Sequence, residues 1–102
     1  MEWQVQESVD RAMASYREGQ ARVPALSTAV EHLEEVARIE QLALATGAGV
    51  QTDYLAAEAE LVRARAELVR ARHAEIAARV ALARATGQLT MAWLTEYLEN
   101  ES

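Results

Sequence analysis

The chain has 102 residues, 51% of them hydrophobic and 25% charged, with a formal net charge of −6 and no cysteine. That length allows one domain at most, and the acidic balance speaks against nucleic acid as the main partner, since phosphate contacts need a basic surface. Without cysteine, neither disulfides nor thiolate metal sites are possible.

Alanine, leucine, arginine and glutamate dominate, phenylalanine is absent, and every basic residue is arginine. Such a mixture belongs to long helices and coiled coils, not to a thick globular core. The opening MEWQVQESVDRAM has neither a basic start nor an apolar stretch and is not a secretory signal. No apolar run approaches the roughly 18 residues of a membrane-spanning helix.

The expected fold is all-α: a long antiparallel, coiled-coil-like hairpin followed by a short C-terminal helix, all in a single domain of residues 1–102. The first helix is expected over about residues 3–46. Val9, Tyr16, Val23, Val30, Ala37 and Leu44 lie on one heptad line, and Val5, Ala12, Gly19, Leu26 and Leu33 on its neighbour. Pro24 removes one helical N–H and Gly19 weakens the helix nearby, so a kink is expected between residues 19 and 24.

A tip turn follows over residues 46–52, in the stretch TGAGVQTD. Gly47 stands where a helix C-terminus favours a left-handed residue, and Gly49 adds a second permissive position. Thr52 or Asp53 is expected to cap the next helix, the carboxylate being favoured there by the helix dipole. So short a turn makes the helices antiparallel.

The second helix is expected over about residues 53–86, and its heptad lines separate by chemistry. Ala57, Ala64, Ala71, Ala78 and Ala85 form one line, with Leu61, Leu68 and Leu82 beside it and Glu75 as the exception. Leu55, Val62, Val69, Ile76 and Ala83 form another, beside Ala59, Ala66, His73 and Val80. Arg65, Arg72 and Arg79 run between the two apolar pairs, whose centres lie about 155° apart on a 3.5-residue repeat. A helix with one partner needs one seam; this helix has two and belongs in a wall with a neighbour on each flank. Which seam faces the first helix is open at this stage.

Gly87 is expected to end the second helix. Thr90 would cap a third over about residues 91–99, stapled by Leu89 and Leu94, folded back over the hairpin's open end through Trp93, Leu94, Tyr97 and Leu98. The final ENES is expected to fray. Trp93 and Tyr97 would alternatively anchor at a membrane interface, but the helix is short and acidic.

No catalytic constellation is present, and no cofactor is expected. Small helical chorismate mutases match in size, yet they need cationic side chains converging in a pocket. A metal site at His32 and His73, with Glu31, Glu35 and Glu75 nearby in sequence, is disfavoured. Pairing about the turn sets His32 across from the region of Glu67 and His73 across from that of Leu26, about 9 Å apart along the axes.

From Gly47 to Gly87 the sequence resembles the outer-membrane efflux protein family, the TolC-like channels. The matching features are Gly47, Thr52-Asp53, Leu55-Ala57-Glu58, Ala64-Arg65, Ala71-Arg72 and Leu82 to Gly87, with the upstream EHLEEVARIEQ similar to the descending helix of the same repeat. The resemblance implies a structural, non-enzymatic hairpin of a periplasmic α-barrel, on the periplasmic side of the outer membrane. It would place Gly47, Gly49, Gln51, Thr52 and Asp53 at the barrel tip, where a periplasmic adaptor docks and acidic residues select cations. Since a family member carries two repeats, β-strands and an export signal, this chain is expected to be one repeat's helical part, the C-terminal one, with no membrane insertion of its own. Its neighbours would be further parts of a longer channel protein or copies of itself. Two other readings are a free-standing hairpin that self-associates into a bundle, and a periplasmic adaptor hairpin, which lipoyl-like β sequence would flank.

Overall fold

A computed structural model describes residues 2–101. It is a helical hairpin of α1 (Glu2–Ala45) and α2 (Gln51–Glu101), joined by residues 46–50, with no strand among the described residues. Few residues in either helix oppose helicity, because alanine, leucine, arginine and glutamate are the strongest helix formers. The heptad pattern then decides which side of each helix is covered.

Two compact units partition the chain, each built from both helices. In the unit Ala21–Arg72, Val30, Ala37, Ala57, Leu61 and Leu68 form a buried cluster, with Val23, Leu26, Leu33 and Ala64 packed against it. The covered positions step alike on the two helices, 23, 26, 30, 33 and 37 on α1 and, in reverse, 71, 68, 64, 61 and 57 on α2, which antiparallel heptad pairing sets in five layers. Large residues face alanines in two of these five layers, Val23–Ala71 and Val30–Ala64, and alanine faces alanine in a third, Ala37–Ala57, so the helices approach closely. The other unit joins the residues up to Gln20 to those from His73 onward. There Gly19 faces Glu75, and Ala12, Ala78 and Ala85 are buried.

The alanine line and the Leu61–Leu68–Leu82 line are therefore the seam within the hairpin. Leu82 and Ala64 are half-buried and the remaining alanines buried.

α1 is one continuous helix that carries Gly19 and Pro24 within it. The expectations for the second half of the chain need correction. α2 does not end at Gly87 but continues to Glu101, so residues 91–99 are helical as part of α2 and not as a separate helix folded back. Gly87 is not in the left-handed region, and Gly47 alone among the described residues has positive φ. Thr90, expected as a cap, sits inside α2 and donates its hydroxyl to the Thr86 carbonyl at 3.0 Å, as Thr86 does to Leu82 at 2.7 Å. A lone helical glycine costs about 1 kcal/mol, which a long helix absorbs. The side chain of Leu89 and all of Ser102 lie outside the described residues; the rest of the ENES stretch continues the helix.

Candidate functional site: hairpin tip and outer edge

The tip is built by backbone geometry. Gly47, at φ 80°, ends α1 in the left-handed conformation. The Ala48 N–H donates to the Ala43 carbonyl at 2.9 Å and the Gly47 N–H to Leu44 at 3.2 Å, the paired bonds of a Schellman ending. Gly49 donates to the same Ala43 carbonyl at 2.9 Å, and Thr46 Oγ1 to it at 3.1 Å. A Cβ on Gly49 would fall 2.8 Å from the Leu44 nitrogen, so the chain needs glycine here for close approach of backbone to backbone.

α2 begins earlier than expected. The Val50 carbonyl accepts from the N–H groups of Asp53 (3.1 Å) and Tyr54 (3.2 Å), which makes Val50 the cap residue. Thr52 and Asp53 are then inside the first turn and do not cap the helix; Asp53 still sits where the dipole favours a carboxylate. Gln51, Thr52 and Asp53 are exposed side by side at the tip, with Leu42 and Val50 exposed nearby.

The second apolar pair on α2 faces away from α1. Leu55, Val62, Val69, Ile76 and Val80 are all exposed, Val62 to 62%, although they are regularly spaced and large. The arginines between the two apolar pairs reach back toward α1. Arg65 lies 3.4 Å from Glu34, and Arg79, 3.9 Å from Glu75, places its guanidinium 6.0 Å from the centroid of the Tyr16 ring. Arg65–Glu34 is an exposed pair, worth under about 1 kcal/mol, whereas the Glu75 carboxylate is half-buried beside the seam; the arginine heads themselves form a solvated stripe.

α1 has an outer face of its own, which the sequence reading missed. Val36, Ile39 and Leu42 are exposed. The signal was present: Ala25, Ala29, His32, Val36, Ile39 and Ala43 alternate in steps of four and three, a second heptad pair beside the obvious one. Beyond it, Arg38 donates to Glu35 through Nε at 3.1 Å and also through its terminal nitrogen. That hydrogen bond holds the Glu35 carboxyl below the usual carboxylate range; desolvation opposes it, and the guanidinium's charge adds to the lowering.

His32 and His73 are both exposed. Among the described residues no three His, Cys, Asp or Glu side chains gather as metal ligands. None of the described helices is long and apolar enough to cross a membrane. Trp93 and Tyr97 stack on each other at 5.6 Å and, with Met91, Leu94 and Leu98, remain exposed; they do not pack over the hairpin's open end. The reason is the unbroken α2, which carries them along its own axis.

Compared with protein-family models, with curated proteins and with solved structures, the chain matches none.

Proposed function

We propose that this chain is a structural, non-enzymatic hairpin that takes its place in a wall of parallel-sided helices, of the kind that forms the periplasmic α-barrel of TolC-like outer-membrane efflux and secretion channels. One observation carries the reading: α2 has a buried seam against α1 and, on its other side, a regular line of large apolar residues left in water. Singly exposed apolar residues are ordinary, whereas a contiguous line at heptad spacing marks a packing surface. The order of glycine, Thr-Asp and Ala-Arg pairs from Gly47 to Gly87 supports the channel family as the kind of wall. In that setting Asp53 and its neighbours line the aperture, and the tip meets the adaptor.

A free-standing hairpin that self-associates is the second reading, favoured by the same uncovered line and requiring no family. Cell fractionation of the native gene product separates the two. A channel component goes to the outer-membrane fraction, and deleting its gene raises susceptibility to exported compounds. Recovery in the cytosolic fraction with unchanged susceptibility would overturn the channel reading and leave the module.

A further inference from the structure

The outer edge of α2 fits one occupant better than others. Within the unit Ala21–Arg72, the edge of Leu55, Ala59, Val62, Ala66 and Val69 is flanked by Arg63 and Arg70 on one side and by Arg65, Arg72 and Glu58 on the other. Two such edges packed face to face would set arginine against arginine, and like charges across a helix interface are destabilising. The complementary surface is the outer face of α1. From Ala25 to Ala45 that helix carries Glu31, Glu35 and Glu40 against Arg38, while Glu34 turns inward to Arg65 of its own hairpin.

Shape allows the contact that charge selects. If two hairpins stand side by side with tips level, the register inside the hairpin also governs the pairing between them. Ile39 then meets Leu55, Val36 meets Ala59, His32 meets Val62, Ala29 meets Ala66, and Ala25 meets Val69. Two of these five layers, Val36–Ala59 and Ala25–Val69, set a large residue against alanine, Ala29 and Ala66 leave a close layer between alanines, and Glu31 comes level with Arg63. Helices so paired run antiparallel, as within the hairpin.

We propose that a second copy of this chain covers the α2 edge with the outer face of its α1, a head-to-tail contact that leaves each copy one free face and so builds rings or open rows. The inference rests on reading the α2 edge as a packing surface and adds the partner and its orientation.

Because the chain has no cysteine, single-cysteine variants of the whole chain test it. Ile39→Cys and Leu55→Cys are each mixed and oxidised, alone and together, with helicity checked by circular dichroism; both side chains are 54% exposed, so folding is retained. The expected result is a mixed disulfide between the two variants well above either self-pair, and a ladder of higher species when one chain carries both. Arg63→Glu should lower the mixed yield several-fold, and Glu31→Arg on the other partner should restore it. Predominant Leu55→Cys self-pairing would overturn the head-to-tail contact while leaving the edge a packing surface. A folded monomer by light scattering with no cross-link would overturn self-pairing altogether. Neither result bears on where the native product fractionates, which decides the channel reading separately.

Discussion

Gly19 and Glu75 face each other so closely that a Cβ on Gly19 would lie 3.2 Å from both Cβ and Cγ of Glu75. Glu75 is the one charged member of an otherwise leucine line, and the glycine makes room for its stem while the carboxylate reaches Arg79 at 3.9 Å. A polar residue at one seam position selects register at some cost in stability. Gly19→Leu is therefore expected to destabilise the hairpin by about 1–3 kcal/mol through overpacking. In a Glu75→Ala background the loss should shrink by about 1 kcal/mol or more. A thermal-melt double-mutant cycle reads this coupling, and strictly additive losses would refute the contact.

The glycines at the two ends of the hairpin arm should respond oppositely to alanine. Gly87 is helical with open space where its Cβ would go, so Gly87→Ala should stabilise by about 1 kcal/mol. Gly47→Ala should cost about 1–2 kcal/mol, because its φ of 80° is strained for a side chain. Gly49→Ala should cost more than Gly47→Ala, since its Cβ would meet backbone and not merely solvent. If Gly87→Ala lowered the melting temperature, α2 would not run through that position.

Seam and edge should separate on substitution. Leu61→Asp or Leu68→Asp places a charge in the buried cluster and is expected to abolish folding as read by circular dichroism. Val69→Asp with Ile76→Asp, at residues 51% and 56% exposed, should leave helicity intact and abolish association in light scattering. Arg65→Ser with Arg72→Ser should keep the fold within about 1 kcal/mol, since both side chains are exposed and the Arg65–Glu34 pair is a surface one. Unfolding of the Val69–Ile76 variant at high dilution would mean that this edge belongs to the hairpin's own core.

Glu35 should titrate below the ordinary carboxylate range, and Arg38→Ala should return it to that range by NMR. A lowered carboxyl pKa in the fold contributes stability above the unfolded value and loses it as pH falls through the folded one. The pair is fully exposed, so the melting temperature in that acidic window should differ little between Arg38→Ala and the parent chain.

The hairpin was legible because its signals are local and redundant: Gly47 for the turn, and unbroken heptad lines on both arms. The two-sided character of α2 was legible for the same reason. Which side faces α1 was not, since alanine–leucine and valine–isoleucine lines are equally apolar and only the fit against Val23, Val30 and Leu33 selects the narrower one. Gly87 misled because a glycine can stop a helix or ride inside one, and the residues after it, with no proline, let the helix proceed. Thr52 and Asp53 misled because cap preference is a property of side chains, whereas Val50 became the cap through the backbone path out of Gly49. The second line on α1 went unread behind the stronger seam beside it.

Among the described residues no side chain is completely enclosed, and the seam is a single file of contacts, six of its nine buried members being alanine. Each layer is thus held by the layers on either side and by little else, as in linear repeat arrays. Amide exchange should therefore be graded along the rods and not uniform: slowest around Val30, Ala37, Leu61 and Leu68, and faster toward the termini, in the manner of a zipper opened from its loose end.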